Sequence, residues 1–599
     1  MRLTVLTATR RTASSADSFH RRPRRPAGPL GPDPAHGCAD CGHEQDMGTQ
    51  HAETERKYDG AALPERLDRV PGVATAQRAE SEDLDAVYYD TPDLRLLRRR
   101  ITLRRRTGGN DAGWHLKLPR TDDVRQEVRL PVEAGGPGDV PAELAQLVAA
   151  FTRGGALAPV AHLRTHRSQL VLRDDRGDAL ARITEDRVAA HVLDADRVAP
   201  APSDARPAAD GRAGDDGEGG PPGGTTTEVR GWTEFEVELE HGTPALLDRV
   251  EAAFTDAGLV RSPWPSKLSR ALGERRAAAV EASEGPGTPR SGRSGGPAST
   301  PAAGSAGALV MDGFRSRLDA LLTLDAAVRR GEADSVHRMR VAARTLRSLL
   351  KAHRRLFKGD RAQTAAAELQ WLGRLLGRAR DREVLGDLLV GGLDAVPAQR
   401  RGGALRGRLA EHYAKEYRAE WQRAVAELDG DRYFALLDRL DAFAADPPLR
   451  HRADRDARGY VSDALRREQR RTTERLDRAL RSEPGPLRDQ ALHGARKAAK
   501  RARYTADHAQ SQLPRRAARR VAKFGGRMKK LHKVLGTHQD SVVARAELIT
   551  LAGQDAGGER DAFAYGVLHE QQRHIADAAR RRLPKLRRRA GRRKLTRLP

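Results

Sequence analysis

The stretch Glu53-Thr54-Glu55-Arg56-Lys57-Tyr58 decides the fold of the N-terminal half of this chain of 599 residues. Side chains two residues apart on a β-strand point to the same face of a sheet. Glu53, Glu55 and Lys57 therefore share one face of a predicted strand. Short segments with the same alternation recur as far as residue 273, which predicts a domain built from strands.

The other predicted strands of this half also have one charged and one apolar face. Carboxylates concentrate in the first and last strands, and cations in the middle ones. For any single strand, a charged face that meets water in an open sheet is the simpler interpretation. The separation of sign favours a sheet closed around one lumen. The charged faces of these strands carry Thr102, Arg104, Arg106, His115, Lys117, Glu234, Glu236 and Glu238, whereas Phe235, Val237 and Leu239 take the opposite face.

A lumen lined by cations and by paired carboxylates is suited to a polyanion that carries a divalent metal. Lys and Arg hold phosphate oxygens, and Arg does so through two parallel hydrogen bonds where the geometry permits. Mg²⁺ or Mn²⁺ takes a few carboxylate oxygens together with waters and substrate phosphates. The pattern therefore indicates metal-assisted phosphate chemistry.

The opening stretch resembles the ExExK signature of the CYTH, or triphosphate tunnel metalloenzyme, family. The resemblance implies an α+β protein whose N-terminal domain, residues 50–273, is a closed antiparallel β-barrel, with Mg²⁺ or Mn²⁺ as cofactor. It continues in chain order through YYDTPDLRLLRRRITLRRR from Tyr88, WHLKLP from Trp114, Arg125-Gln126-Glu127, RTHR from Arg164 to Arg167, TED ending at Asp186, EFEVELE from Glu234, and Ser266-Lys267.

The resemblance also implies roles for particular residues. The implied catalytic residues are Glu53, Glu55, Lys57, Glu127 and Asp186, the implied phosphate ligands are Arg104, Arg106, Lys117, Arg164, Arg167 and Lys267, and the implied metal ligands are Glu53, Glu55, Glu236 and Glu238. Glu234 also matches a family position, where it either joins the metal ligands or holds neighbouring cations. The family acts on tripolyphosphate and other triphosphates, and some members cyclise ATP.

The expected substrate is inorganic tripolyphosphate or a related triphosphate. Aromatic residues make up only 4% of the chain, and no segment indicates a pocket for a base or a thiazole ring. An adenylyl cyclase-like activity on ATP is an alternative. The chain contains no Gly-Lys pair with which to build a phosphate-binding P-loop.

The second half, residues 308–599, has Leu, Ala and Arg at helical spacing and is predicted to be all-α. It also repeats. VHRMRVAARTLRSLL from Val336 is similar to LHGARKAAKRARYTA from Leu492, and LGRLLGRARDREV from Leu372 is similar to MKKLHKVLGTHQDSV from Met528. These similarities predict two duplicated helical bundles.

Each repeat has a histidine followed by cations at the same intervals, on one face of a helix. A solvated arginine-rich face is the simpler interpretation of one such stripe, but the recurrence favours a binding surface. The two stripes are His337, Arg340, Arg344 and Arg347, and His493, Arg496, Lys500 and Arg503.

This half resembles the CHAD family of conserved histidine α-helical domains, marked here by Arg380-Asp381 and Gln539-Asp540. The resemblance implies binding of inorganic polyphosphate, with Asp381 and Asp540 orienting the arginines. Protonated histidines that donate to phosphate are favoured over metal-ligating ones.

The composition of the chain indicates which binding partners and which cellular compartment to expect. The formal charge is +26, from 108 Lys and Arg against 82 Asp and Glu, which favours a polyanionic partner. A nucleic-acid binder ranks below a polyphosphate binder because few aromatic residues are present to stack on bases. With two cysteines and no apolar run of membrane length, the chain is expected to be cytoplasmic, with polyphosphate granules as one location.

Four segments have the composition of insertions, linkers or tails. Residues 1–49 are expected to be a disordered tail, and Met47 offers an alternative start. The cluster of His36, Cys38, Cys41 and His43 is a weak indication of a zinc site. An insertion is predicted near 199–227, a flexible linker at 274–307, and a basic tail at the C-terminus. A non-catalytic, granule-associated polyphosphate binder remains the alternative to the enzyme, and the sequence does not indicate an oligomeric state.

Overall fold

The computed structural model describes residues 50–119, 123–136, 138–193, 229–273, 301–397, 404–510, 513–554 and 558–598. The predicted N-terminal tail with its histidine and cysteine cluster, the predicted insertion and most of the predicted linker lie outside these ranges. None of the described helices is long and apolar enough to cross a membrane.

The N-terminal domain is an antiparallel barrel, as the alternation predicts. Its strands are β1 (Gln50–Asp59), β2 (Thr75–Arg78), β3 (Glu82–Asp90), β4 (Thr102–Thr107), β5 (Gly113–Pro119), β6 (Val124–Leu130), β7 (Ala158–Arg173), β8 (Ala179–Val192), β9 (Val229–Leu239) and β10 (Val260–Arg261). Eight of them form the ring β1-β6-β5-β4-β3-β7-β8-β9, which closes because β9 pairs with β1. β10 pairs with the last residues of β1, and β2 pairs with β7.

Helices cover the outside of the barrel where its strands are apolar. The helices of this domain are α1 (Arg95–Arg98), α2 (Ala142–Thr152), α3 (Pro244–Asp256) and α4 (Lys267–Ala271), of which α4 is described separately below. Tyr58 and Phe235, which point away from the lumen, pack with Phe254 of α3. The ring centroids of Tyr58 and Phe254 are 4.8 Å apart. The predicted apolar face of β9 is therefore the face that anchors a helix, and burial of such aromatic side chains is a large stabilising contribution.

α4 has a different position, because it packs against the lumen face of the strands. Its Leu268 belongs to the same buried cluster as Leu163 of β7 and Val188 of β8. Leu163 lies on the face of β7 that carries Arg167, and Val188 on the face of β8 that carries Asp186. The helix thus closes the lumen on that side, immediately beyond Lys267.

The C-terminal domain is all-helical, as predicted. Its helices are α5 (Ala306–Arg329), α6 (Ser335–Ala352), α7 (Arg361–Gly392), α8 (Leu405–Leu428), α9 (Asp431–Ala445), α10 (Ala457–Arg481), α11 (Pro486–Ala509), α12 (Arg515–Gln554) and α13 (Glu559–Ala590). The two similar stretches of sequence form equivalent hairpins, α6 with α7 and α11 with α12, and α6 also packs against α11.

The two domains pack against each other. α2 of the barrel contacts α5 of the helical domain. Arg99 donates to Asp319 at 2.9 Å and to Asp441 at 2.7 Å, and Arg153 donates to Asp438 at 2.9 Å and also to Asp441. Phe151 of α2 also packs against the apolar core of the helical domain. The domain interface therefore combines ion pairs with apolar packing.

Candidate active site: a charged tunnel

Strand β1 places its three alternating charges in the lumen, beside partners on both neighbouring strands. Glu53 is opposite Arg125 of β6, whereas Glu55 and Lys57 are opposite Glu238 and Glu236 of β9. Residues directly opposite each other on antiparallel strands project to the same face. The two groups of glutamates, far apart in the sequence, therefore meet where the barrel closes.

Glu53 lies at one end of this acidic group. It accepts a hydrogen bond from Nζ of Lys117 at 2.5 Å and is 5% exposed. Burial raises the pKa of its carboxyl to about 7, because Lys117 only partly offsets the burial and the nearby carboxylates of Glu127 and Glu238 add to it. Glu53 is therefore poised to gain or lose a proton near neutral pH.

Glu55 differs from its neighbour. Burial would raise its pKa, but Lys57 and Lys117 outweigh the burial and lower the pKa to about 2. Its Oε1 atom is buried and has no hydrogen-bond partner. Burial raises the pKa of the opposite carboxyl, Glu238, and the charges of Glu55 and Glu236 raise it further. Oε1 of Glu55 lies in an ion pair with Arg125 at 3.3 Å, so a cation between Glu55 and Glu238 would mainly relieve the repulsion between the two carboxylates.

A second acidic group surrounds Lys267 at the start of α4. Its Nζ atom lies 2.8 Å from Asp186, 2.9 Å from Glu234 and 2.6 Å from Glu236. Ser266 positions Lys267, because the side chains of Ser266 and Ser269 cap the start of the helix reciprocally. Lys57 also binds Glu236. Glu236 is thus surrounded by cations, and Glu55 with Glu238 fits a metal better than Glu236 does.

Arg167 completes this group with two parallel bonds to Asp186, at 2.8 and 2.7 Å. Asp186 is fully buried. Burial would raise its pKa, but Lys267 and Arg167 outweigh it and hold the pKa below its usual value. Asp186 therefore stays ionised and fixes the position of both cations.

The middle strands supply the cations, as the sequence predicts. Arg104 donates to the hydroxyl of Tyr88 at 3.2 Å, and Arg106 binds Asp111. Burial lowers the pKa of Arg106 to about 8, and the charges of Arg104 and Arg167 lower it further. The Nε atoms of Arg104 and Arg106 are buried without hydrogen-bond partners. These groups are crowded by like charge, and an anion would relieve that repulsion.

The structure brings together all but one of the predicted tunnel residues. Arg164 lies on the opposite face of β7 from Arg167, is 68% exposed and approaches Asp85 at 3.6 Å. The assignment of Arg164 as a phosphate ligand of the tunnel is therefore wrong. Residues three apart on a continuous strand face opposite ways, so the spacing of these two arginines already separates them.

Three lumen residues have no role in the sequence analysis. Arg129 binds Glu127 and lies 3.3 Å from Glu53, and Arg125 lies 3.3 Å from Glu55. His115 places Nδ1 at 2.9 Å from Glu127. The alternation of Arg125, Glu127 and Arg129 along β6 is the signal that points to the two arginines, and the alternation of His115 with Lys117 along β5 points to the histidine.

The donor set is compatible with Mg²⁺ or Mn²⁺, which take hard oxygen ligands and keep several waters and substrate oxygens. Among the described residues, no group of three or more potential ligands is assembled as a metal site. Two facing carboxylates, Glu55 and Glu238, and the adjacent Glu53 are the residues that would hold the ion. The remaining positions would belong to water and to phosphate.

The two basic stripes of the helical domain face each other. Arg340 lies 3.5 Å from Asp381 and Arg496 lies 3.8 Å from Asp540, so the duplicated hairpins repeat the same contact. Arg344 donates to the hydroxyl of Tyr504 on α11, at 3.1 and 2.8 Å, and so crosses between the stripes. The stripes therefore form one basic groove, defined by the eight residues predicted above.

The charges of the groove are crowded. Burial lowers the pKa of Lys500 to about 6, helped by Arg344 and Arg496. Burial and neighbouring cations also lower the pKa of His337 and His493. This environment opposes the protonated histidines that the sequence analysis favours until a polyanion neutralises the arginines. Burial lowers the pKa of His532 of α12, and the groove residues Arg496 and Lys500 contribute to this lowering. His532 therefore lies beside the groove, although the repeat does not predict it.

Comparisons with known proteins support the family assignment of both domains. A CYTH domain model matches residues 51–272 and a CHAD domain model matches residues 312–549. The chain is 36% identical over 543 residues to "Uncharacterized protein Rv2226" of Mycobacterium tuberculosis, across 89% of this chain and 95% of the relative. The chain belongs to the family of two-domain proteins in which a triphosphate-tunnel CYTH domain precedes a CHAD domain.

Two solved structures are similar to one half each. The CHAD domain from the plant Ricinus communis is 25% identical, with a TM-score of 0.39, over 48% of this chain and 93% of that one. The PH1819 protein from Pyrococcus horikoshii is 14% identical, with a TM-score of 0.20, over 38% of this chain and 99% of that one.

Proposed function

We propose that the barrel is a divalent-metal-dependent triphosphatase that hydrolyses inorganic tripolyphosphate, and that the helical domain binds inorganic polyphosphate. The observation that carries the proposal is the lumen itself, into which Arg104 and Arg106 of β4 and Glu53, Glu55 and Glu238 all project, with Lys117 bonded to Glu53. A chain of phosphates with a bound cation is complementary to both sets.

Each part of the lumen has a role in this reaction. Arg104, Arg106 and Lys117 would bind phosphate oxygens and stabilise the charge that builds up as the terminal P–O bond breaks. Glu53, beside Glu55 and Glu238, would help to hold the ion, and its hydrogen bond with Lys117 would position that lysine for the phosphates. Asp186 would orient Arg167 and Lys267. A bound Mg²⁺ or Mn²⁺ would polarise the phosphoryl group.

The products would be phosphate and pyrophosphate, because water adds to the terminal phosphorus and the anhydride oxygen leaves with the remaining two phosphates. α4 closes the lumen beyond Lys267, which leaves little room for a base on that side. This favours inorganic tripolyphosphate over ATP, and over a cyclase reaction that needs an adenosine site.

The test is phosphate release from tripolyphosphate, ATP and long-chain polyphosphate with Mg²⁺ or Mn²⁺, for the intact protein and for Glu53→Gln/Glu55→Gln. We expect metal-dependent turnover of tripolyphosphate that the variant loses. Absence of turnover with every substrate, together with tight polyphosphate binding, would contradict the enzyme and favour the alternative.

That alternative, a non-catalytic polyphosphate binder at cytoplasmic granules, is supported by the basic groove. A polyanion gains from many simultaneous contacts and from counterion release, so the binding should weaken steeply with salt. The groove serves this role whether or not the tunnel is active.

A further inference from the structure

Strand β7 carries two histidines on the face that points away from the lumen. His162 and His166 lie on either side of Arg164 at alternate positions of the strand, so all three side chains share one face, and Arg164 is exposed there. The side chain of His162 is 22% exposed and that of His166 is 49% exposed. Both histidines are therefore accessible from outside the barrel and take no part in the proposed tunnel chemistry.

Each of these histidines is paired with an aspartate of the neighbouring strand β3. Nε2 of His162 lies 2.7 Å from Asp85, and Nδ1 of His166 lies 2.8 Å from Asp83. Asp85 also lies 3.6 Å from Arg164. An ionised carboxylate can only accept hydrogen bonds, so the histidine nitrogen is the donor in each pair. This leaves the other nitrogen of the ring as the one available to a metal.

The strand on the other side distinguishes the two histidines. β7 lies between β3 and β8 in the sheet. His162 is directly opposite His191 of β8, with ring centroids 6.2 Å apart, whereas His166 is directly opposite Arg187. His162 is thus flanked by a carboxylate from one neighbouring strand and by a second imidazole from the other, an arrangement that His166 lacks.

The surroundings of His162 have the elements of a zinc site. Zn²⁺ bonds to histidine nitrogens at about 2.0 Å, so two imidazoles on one tetrahedral ion have ring centroids about 5 Å apart. The rings of His162 and His191 are only about 1 Å farther apart than that, and both side chains are partly exposed and free to rotate slightly. A metal-binding histidine usually donates its other N–H to a carboxylate, which orients the ring, and Asp85 has that position.

We propose that His162 and His191 bind a Zn²⁺ ion on the outside of the barrel, with Asp85 orienting His162. No third protein ligand is assembled beside them in the part of the chain that the structure describes, so water would complete the coordination. The site differs chemically from the lumen, because imidazole nitrogens suit Zn²⁺ whereas carboxylate oxygens suit Mg²⁺ or Mn²⁺. A bound ion would tie the end of β8 to β7.

The test is modification of the histidines of the full chain by diethyl pyrocarbonate, located by peptide mass spectrometry, with and without Zn²⁺. We expect Zn²⁺ to protect His162 and His191 at the same half-saturating concentration, while His166 stays reactive. Excess Mg²⁺ alone should protect neither. Asp85→Asn should raise the Zn²⁺ concentration for half protection about tenfold or more. In His191→Gln, Zn²⁺ should no longer protect His162.

Calorimetric titration with Zn²⁺ is an independent measurement. It is made on the full chain with Cys38→Ser and Cys41→Ser, so that these cysteines do not contribute, and with excess Mg²⁺ to fill oxygen-lined sites. His162→Gln should remove one Zn²⁺ site, whereas His166→Gln, which removes the matched histidine of the same strand, should remove none.

Unprotected His162 and His191, equal protection of His166, or an unchanged number of Zn²⁺ sites in His162→Gln would each overturn the proposal. The substitutions are at partly or fully exposed positions, and an unchanged melting temperature without metal shows that each variant is folded. Because no turnover is measured, failure of the triphosphatase proposal would not affect this result.

Discussion

Glu55 of β1 and Glu238 of β9 are directly opposite each other on the strand pair that closes the barrel. Like charges placed in this way repel each other unless a cation or a proton intervenes. Lys57 lies 3.6 Å from Glu55, and Arg125 lies 3.3 Å from its Oε1 atom, whereas burial and the charges of Glu55 and Glu236 raise the pKa of Glu238. The closure of the barrel thus creates a carboxylate pair in which a bound cation would stabilise the ionised form of Glu238.

The first prediction concerns the stabilisation of this carboxylate pair by a divalent cation. Mn²⁺ should raise the melting temperature of the barrel, because an ion at a hundred times its dissociation constant stabilises a folded protein by about 2.7 kcal/mol. Glu238→Gln removes one facing carboxylate and should abolish most of this shift without lowering the melting temperature in the absence of metal. Glu240→Gln, which alters an exposed partner of Arg182 just after the end of β9, is the matched control. An undiminished Mn²⁺ shift in Glu238→Gln would rule out this pair as the metal site.

The second prediction compares two arginines of the barrel. Arg104→Gln removes a buried lumen cation, and we expect kcat/KM for tripolyphosphate to fall about ten- to hundredfold, the usual cost of a lost hydrogen bond to a charged group. Arg164→Gln should have no effect, since Arg164 is exposed on the opposite face of β7 from Arg167. Steady-state phosphate release measures both. Equal losses in the two variants would contradict the lumen assignment.

The third prediction is a pH dependence of polyphosphate binding in the groove. Lys500 has a pKa lowered to about 6 in the free protein, and a bound polyanion should raise it, so binding takes up a proton. Affinity should therefore increase as the pH falls from about 8 to about 6, by at most about tenfold per unit for one proton. Below that range the lysine is already charged and its contribution levels off.

Lys500→Met should flatten this pH dependence, whereas Lys497→Met, exposed on the same helix, should preserve it. Fluorescence anisotropy with labelled polyphosphate at constant ionic strength measures the effect. An affinity that does not change with pH in the unmodified protein would exclude proton uptake by Lys500.

The fourth prediction concerns a buried histidine pair in the helical domain. His353 and His508 lie with ring centroids 5.8 Å apart, and His353 is 2.9 Å from the hydroxyl of Tyr460. Burial lowers the pKa of His353 to about 3, and the charges of Arg467 and Arg317 add to this. The folded state therefore binds fewer protons than the unfolded state between about pH 3 and 6.5, and stability falls as the pH decreases through this range.

At about pH 5 the cost should be about 2 kcal/mol for His353. Thermal melting near pH 7.5 and near pH 5 should show a smaller loss for His353→Gln than for the unmodified protein. His451→Gln, at a fully exposed side chain, should lose as much as the unmodified protein. An identical acid loss in His353→Gln would show that other groups cause it.

Much of the lumen could be predicted from the sequence, because the period of a strand assigns each side chain to a face. Glu53, Glu55 and Lys57 on β1 were placed in this way, and so were Arg104 and Arg106 on β4. The repeat likewise predicted both basic stripes. The same rule excludes Arg164, which the family resemblance had included by its position in a motif.

Other features could not be predicted from local patterns. Lys267 is bound to Asp186 and Glu236 only because α4 turns back against the lumen face of the barrel. His532 joins the groove although its equivalent in the first repeat is a glycine, Gly373. These contacts depend on the packing of segments that are distant in the chain.

The sequence by itself determined the periodicities and therefore the faces: charged residues inside a barrel, cations along two helices. Only the tertiary structure decided which charges meet. It set Glu55 against Glu238 through the closure of the sheet, and it placed Arg344 against Tyr504 through the packing of α6 on α11. It also brought Arg99 and Arg153 of the barrel against aspartates of the helical domain. Periodicity is a local property of the backbone, whereas the register of a closing strand and the docking of a domain depend on the whole packed core.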